Sequence, residues 1–396
     1  MGYVKKISIK GFKSILDQDI QLGKLNVFIG TNGAGKSNLL EAIAMLSASI
    51  EGGIDYERLS RRGARLSSPQ IFRSAFRNKN RKNTFSIEAS TDSITYKMSV
   101  NAVDGFSYNA ESLKRFGKIV CGRSNSGATI FGSNLGNKID REKSIIPLYQ
   151  TFKSEVDELF NLENFSIYAP STPILRGFAS DNSNKSPVGL YGGRLAEALR
   201  EIISDESKRN ELQHFFKLLD WFKSVGTTDK PSSELISEHV SLGRRVVTYK
   251  DKFMKTNFND LYAYDVSEGA LYILFVLVLL AHKDSPDFFA LDNVDSALNP
   301  GLVRNLMVHI SEYIDRYDKK QILLTTHNPT TLDALDIFNP EHRLFVVSRG
   351  TDGQTLINPI LPPKGMTKSD WENQYFGLKL SEIWLSGALG GITLGF

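Results

Sequence analysis

Gly30-Thr31-Asn32-Gly33-Ala34-Gly35-Lys36-Ser37 is the stretch that decides the fold. It follows Leu25-Asn-Val-Phe-Ile29, a short apolar run with the length of a buried strand, and leads into a helix expected from about Lys36 to Ser49. A glycine-rich turn between a strand and a helix, closed by Lys-Ser, is the phosphate-binding P-loop pattern. Glycines let backbone N–H groups face phosphate oxygens without a Cβ in the way. On this reading residues 30–35 form the cradle, and Lys36 neutralises the β- and γ-phosphates. Ser37 is a ligand of Mg²⁺. The bland alternative is a glycine-rich turn with no ligand, which the flanking strand and helix oppose.

Three stretches further along add to this. Val266-Ser267-Glu268-Gly269-Ala270 precedes the most apolar helix of the chain. Ser267 is a good N-cap and Glu268 suits a positive helix start, so the stretch can be read as a cap and nothing more. Phe288-Phe-Ala-Leu-Asp292 is four apolar residues ending in a carboxylate. At the C-terminal edge of a parallel sheet that carboxylate sits beside the P-loop, where it can hold the Mg²⁺ shell. Ser296-Ala-Leu-Asn299 and Pro300 come next. Gln321-Ile-Leu-Leu-Thr-Thr-His327 is another buried strand with a polar end. A lone histidine is more often structural, but this one ends a sheet strand after the other motifs, which points to a γ-phosphate contact.

The chain has 396 residues, 41% apolar and 23% charged, enough for one large domain or two smaller ones. Residues 271–281, the strongest apolar run, are too few to span a bilayer and read as a buried helix. The opening from Tyr3 to Gly11 alternates apolar and polar residues and is expected as a strand rather than a signal segment. Cys121 is the only cysteine, which excludes an intrachain disulfide or thiolate metal cluster and fits a reducing cytoplasm. A net charge of +4 is too small to argue nucleic-acid binding by itself. Residues 84–100 alternate like antiparallel strands, whereas 120–145, rich in Gly, Ser and Asn, read as loop. From 146 to 224 the pattern is helical, with Leu148, Phe152, Val156 and Leu159, then Leu195, Leu199 and Ile203, at helical spacing and without sustained heptads. Residues 225–234 read as a surface linker. Strands and helices then alternate to about 350, which implies an α/β layer with a parallel sheet. The expected organisation is an N-terminal lobe 1–145, a helical insertion 146–235, a C-terminal lobe 236–350 and a tail 351–396.

These motifs in this order resemble the ABC ATPase superfamily. The opening Ile9-Lys-Gly-Phe-Lys-Ser14, followed closely by the P-loop, looks like the RecF, SMC and Rad50 branch. It also resembles stand-alone relatives in bacterial anti-phage systems of the OLD, Septu, PARIS and retron type. The likeness covers roughly 1–50 and 260–350 well and the middle loosely. It implies an α/β ABC-type ATPase head with a mixed sheet, antiparallel strands in the N-terminal lobe, a short helical insertion and no long coiled coil. The implied cofactors are ATP and Mg²⁺. Carried over by position, Lys13 and Ser14 lie near the base or ribose, and Gly30 to Ser37 form Walker A. Ser267 and Gly269 are the signature that closes over the γ-phosphate on a second subunit. Asp292 is Walker B, residues 296–299 the D-loop, His327 the switch histidine, and Gln70 the candidate Q-loop ligand. The implied protein is cytoplasmic and has no membrane association. It closes as an ATP-sandwiched homodimer or higher homo-oligomer and regulates a separately encoded effector, such as a nuclease, in anti-phage defence. An ATP-gated scaffold with little hydrolysis and a RecF-like repair or recombination ATPase are the rival readings.

One position departs from the family pattern. A glutamate normally follows the Walker B aspartate and activates the attacking water, and here the residue is Asn293. A carboxamide orients water but cannot accept its proton at neutral pH. Asp295, two residues on, is the available substitute. Residues 61–82 hold eight basic side chains (Arg61, Arg62, Arg65, Arg73, Arg77, Lys79, Arg81, Lys82) and no acid, which reads as a nucleic-acid contact or a solvated cationic loop. The tail from Trp371 to Phe396 is apolar and glycine-rich, either a packed terminal element or a docking patch.

Overall fold

The computed structural model describes residues 2–136, 139–151, 161–183, 185–206, 208–209, 212, 218–232, 234–235, 245–317 and 319–390. The chain forms two units. The first comprises residues 1–167, 286–294 and 311–396, and the second residues 168–285 and 295–310.

The first unit is built on two sheets. The antiparallel one runs, in spatial order, Ile15–Gln21, Lys6–Phe12, Thr84–Ser90, Ile94–Asn101, Ser107–Arg115, Lys118–Ser124, Gly127–Ile130 and Ser133–Gly136. Its alternation puts Ile7, Ile9, Phe85, Ile87, Tyr96, Met98 and Val100 into the core. The loop expected over 120–145 is corrected here, because its first half is three short strands. Cys121, Arg123, Ala128 and Ile130 alternate inward. A charged residue at one inward position, and glycine and serine at the outward ones, hid the period-2 signal.

The other sheet orders Ile167–Tyr168, Phe288–Leu291, Gln321–Thr326, Leu25–Ile29, His342–Arg349 and Thr355–Ile360. The strand before the P-loop is central and parallel to both neighbours, with Val27 opposite Leu324 on one side and Leu344 on the other. Sheets of this kind are covered on both faces, so their strands read as continuous apolar runs. All of Leu25–Ile29 and Gln321–Thr326 is buried. Helix Lys36–Glu51 is buried continuously from Leu39 to Ile50. One core joins its Leu40 and Met45 to Ile9 and Ile87 of the antiparallel sheet and to Phe28, Leu323 and Phe345 of the parallel one. The Phe28 and Phe345 rings stack at 4.7 Å.

A buried polar network crosses this core. The Glu111 carboxylate pairs with Arg123 at 2.7 Å and accepts from the Tyr96 hydroxyl and Ser144 Oγ, each at 2.8 Å. Ser49 of the P-loop helix bonds both Tyr96 and Tyr108, at 2.5 and 2.8 Å. Burial raises the Glu111 pKa, and Arg123, Ser144 and Tyr96 oppose the shift. Removing one partner of such a pair leaves the other charge buried and uncompensated. Glu111→Ala is therefore expected to lower the unfolding free energy by about 3–5 kcal/mol, read as a lower urea midpoint.

The second unit contains helices Leu195–Ser204 and Glu268–Ala281, and a three-stranded antiparallel sheet of Phe222–Thr228, Val246–Asp251 and Asp260–Tyr262. The linker reading of 225–234 is corrected, since residues 225–228 complete the first strand and pair with residues 246–249. The partner strand lies about twenty residues on, out of reach of a local reading. Helix Pro300–Arg316 begins in this unit and is the longest described. Of the run read at 148–159, Leu148 lies in helix Ile146–Thr151 of the first unit. Phe152, Val156 and Leu159 lie outside the described residues. The tail packs within the first unit through helices Lys368–Gln374 and Leu380–Leu385, burying Trp371, Ile383 and Trp384. Ser381 N–H donates to Asp333 at 3.1 Å. Its last residues, 391–396, lie outside the description. No helix among the described residues is long and apolar enough to cross a membrane.

Candidate nucleotide-binding site

The P-loop emerges from the C-terminal end of the central strand. Gly35 occupies the N-cap with φ 111°, and Gly33 has φ 76°. Both are left-handed values that glycine adopts without strain. Gly30 has a different reason: a Cβ there would overlap the Val347 carbonyl of the adjacent strand. The buried Lys36 ammonium donates to Gly30 O at 2.6 Å and Thr31 O at 3.1 Å, so it lies inside the loop's own curve. Ala34 N–H closes the turn onto Thr31 O at 3.2 Å, and Asn32 is exposed.

The Walker B end meets this loop. Ser37 Oγ donates to Asp292 Oδ2 at 3.2 Å. Two adjacent ligands of an octahedral Mg²⁺ lie roughly 3 Å apart, and a hydroxyl with a carboxylate is the hard-oxygen pair that ion takes. The donor set therefore fits the cation the motif implies. Thr325, in the strand between, holds the arrangement. Its hydroxyl donates to Asp292 Oδ1 at 2.5 Å and accepts from Asn293 N–H at 2.8 Å. Sequence reading registered Thr325 only as part of a polar strand end. Asn293 itself has φ 56°, a left-handed conformation that asparagine tolerates better than most residues.

Lys13 and Ser14 contact the P-loop helix. The Lys13 ammonium pairs with Glu41 of that helix, over the Phe72 ring at 4.5 Å, and Arg65 pairs with the same carboxylate. Burial pulls the Lys13 pKa below the ordinary lysine range, and Glu41 opposes the shift. Ser14 Oγ lies 2.7 Å from Thr355 Oγ1 and accepts from Asn38 at 2.6 Å. Thr355 Oγ1 in turn donates to Ala34 O at 2.7 Å. Arg349 donates to Gly33 O at 2.9 Å. Thr355 and Arg349 are contacts no local motif announces, since they reach the P-loop from more than 300 residues away. Gln70 is exposed on the short turn Pro69–Phe72, and its carbonyl accepts from Arg81. Backbone bonds from Lys13 N to Phe72 O and from Ser74 N to Gly11 O tie that turn to the Lys13 bend. His327 is exposed directly after its strand.

In the second unit, Ser267 caps helix Glu268–Ala281 by accepting from Ala270 N–H at 3.3 Å. Glu268 accepts from the Thr172 hydroxyl. A Cβ on Gly269 would sit 3.2 Å from Ala297 O, so the expected signature and D-loop are in close packing. Asp295 is buried, and its carbonyl accepts from Leu298 N–H at 3.4 Å.

The basic run at 61–82 divides by environment. Arg62 is buried and bonds Ser47 Oγ, Glu163 O and Glu51. Arg73 is buried against Asn83 and Lys82 O. Arg61 pairs with Glu51 at 2.8 Å, and Arg65 with Glu41. Arg62 and Arg73 are thus spent on the interior, whereas Arg61, Arg65, Arg77, Lys79, Arg81 and Lys82 are exposed.

Strand, P-loop, buried helix and the Ser37–Asp292 pair define a P-loop ATPase head of mixed α/β fold. Residues 6–238, more than half of the chain, match the AAA domain family, and the protein belongs to it. Residues 177–333 also match a family described as AAA domain, putative AbiEii toxin, Type IV TA system. Among solved structures, an SMC head bound to the C-winged helix domain of ScpA is 16% identical, over 92% of this chain and 99% of that one, with a TM-score of 0.57. The Smc head with an extended coiled coil from Pyrococcus furiosus, bound to the C-terminal domain of ScpA, is 15% identical over 91% and 97%, with a TM-score of 0.52. These two likenesses are of fold. No curated protein matches the sequence.

Proposed function

We propose that the protein is an ATP-dependent switch whose heads close in pairs over nucleotide and signal to a separately encoded effector. The observation that carries the reading is the Ser37–Asp292 pair beside the curled Lys36, a preformed place for a metal-bound triphosphate. Mg²⁺, when bound, neutralises phosphate charge. The residues of the chain do the rest. Backbone N–H groups of 33 and 35–37 orient the phosphates, Lys36 meets their charge, and Thr325 fixes the Asp292 carboxylate. Asn293 offers an amide that can orient water but not deprotonate it, so turnover is slow. Ser267, exposed at the start of a capped helix, closes on the γ-phosphate of the partner copy, with the buried Gly269 packed behind it.

Ser267→Arg is expected to abolish ATP-induced dimerisation, because the added cation fills the space that phosphate must enter. Sedimentation velocity with and without ATP reads the result. The same oligomer in all four conditions would defeat the closing model.

The defence setting rests on the AbiEii-type match and on family likeness, with an effector as the partner protein. A pull-down with the product of the neighbouring gene tests it. Asn293 favours a second reading, a nucleotide-gated scaffold with little hydrolysis. In that case wild-type protein binds ATP tightly and releases almost no phosphate in steady state.

A further inference from the structure

Two hairpin tips of the antiparallel sheet carry a residue their backbone disfavours. Arg115 pairs with Lys118 across Phe116-Gly117, and Ile130 pairs with Ser133 across Phe131-Gly132. Phe116 and Phe131 both have φ 47°, and the glycines after them have φ 77° and 81°. Two-residue turns with both central residues left-handed strongly prefer Asn-Gly or Asp-Gly. A bulky aromatic at the first position is a genuine outlier. It occurs here twice on neighbouring hairpins, and although the Phe131 ring rests on Tyr149 at 5.4 Å, both rings keep more than half of their surface exposed. Phe116 is 73% exposed and Phe131 53%, with Ile119 between them at 62%. Strained backbone beneath rings this exposed points to use at the surface.

The tips lie at one end of the sheet. Phe131 N–H donates to Val120 O at 2.7 Å, which sets the second tip beside the strand leaving the first. Charge gives the ridge its chemistry. From Ser112 to Ile139 there is no acidic residue, while Lys114, Arg115 and Lys118 flank the first tip. Lys114 and Lys118 are exposed, and the Arg115 guanidinium lies 5.8 Å from the Phe116 ring. Asp92, in the turn whose Ser93 carbonyl accepts from Phe116 N–H, is the nearby acid. Aromatic faces interleaved with cations match a chain that alternates flat bases with phosphates.

We propose that this hairpin pair binds single-stranded nucleic acid, with bases stacked on Phe116 and Phe131 and phosphates held by Lys114, Arg115 and Lys118. The site is separate from the P-loop and from the basic run at 61–82. It does not depend on the proposed dimer.

Fluorescence anisotropy tests the proposal on the full chain, with fluorescein-labelled oligo-dT, oligo-U and a duplex of the same length. Oligo-dT, oligo-U or both should bind more tightly than the duplex. Phe116→Asn should weaken binding about tenfold, the loss expected when a base loses its stacking platform. The same change should leave the thermal midpoint unchanged or higher, because asparagine suits the turn that phenylalanine strains. Lys118→Ala should flatten the slope of log affinity against log salt by about 0.7. Equal binding by wild type, Phe116→Asn and Lys118→Ala would overturn the proposal. So would failure to bind either single strand, whether the ridge proved to bind anionic vesicles or to hold two copies together in a sedimentation experiment.

Discussion

Lys36→Ala is expected to weaken ATP binding by at least about a hundredfold, with a modest loss of thermal stability. The ammonium lies within the P-loop curve, 2.6 Å from Gly30 O and 3.1 Å from Thr31 O, and so already faces the place where β- and γ-phosphates are held. Hydrogen bonds to charged groups contribute about 1.5–3 kcal/mol each, and two phosphates lose theirs together. At 1.4 kcal/mol per tenfold, that is a loss of about two decades or more. The Gly30 carbonyl it leaves behind is buried, so losing the ammonium should also lower stability, by about 1–3 kcal/mol. Titration calorimetry measures the affinity. A variant that binds ATP as tightly as wild type would mean that the nucleotide sits elsewhere. Lys36→Arg sharpens the test, since it keeps the charge but replaces a compact ammonium with a planar fork that the curled loop has no room to orient.

Asn293→Glu is expected to raise steady-state phosphate release, by up to about 10²–10⁴, the usual worth of a general base. Asp292 is held by Ser37 and Thr325, which places the next residue at the edge of the candidate site. The backbone tempers the gain. At φ 56°, glutamate costs about 1 kcal/mol or more that asparagine largely avoids. The variant should therefore be somewhat less stable than wild type even if it is faster. Asn293→Asp separates the two effects. Aspartate tolerates the left-handed region and supplies a carboxylate, but on a shorter arm. Faster release with Glu and little change with Asp would indicate that reach matters. Brisk wild-type release that survives both Asn293→Ala and Asp295→Ala would mean that neither residue is the base.

Much of the architecture was legible because it is local. Leu25–Ile29, Phe288–Leu291 and Gln321–Thr326 are short, mostly apolar runs of strand length that lead into polar or glycine residues, the pattern of a buried parallel strand. Ser267 announced its helix through cap chemistry. The relation of Ser14 to Thr355 and Ala34 could not be read, because hydroxyls more than 300 residues apart carry no shared spacing. The strands after Lys118 were read as loop because Arg123, inward and paired with Glu111, breaks the alternation. Arg62 and Arg73 looked like members of a solvated run, since composition does not tell a buried guanidinium from an exposed one. The left-handed backbones of Asn293, Phe116 and Phe131 are set by turns whose partners lie across a sheet.

The position of the P-loop strand has a consequence for how the protein is made. Leu25–Ile29 is wholly buried between Gln321–Thr326 and His342–Arg349, and neither neighbour exists until about three hundred further residues have been translated. At about 5–20 residues per second, the ribosome leaves the apolar stretch without its flanking strands for roughly 15–60 seconds. The antiparallel sheet, whose members all lie within the first 136 residues, can form meanwhile and shield the P-loop helix on one face. Nucleotide-binding competence therefore lags well behind the emergence of its own signature motif.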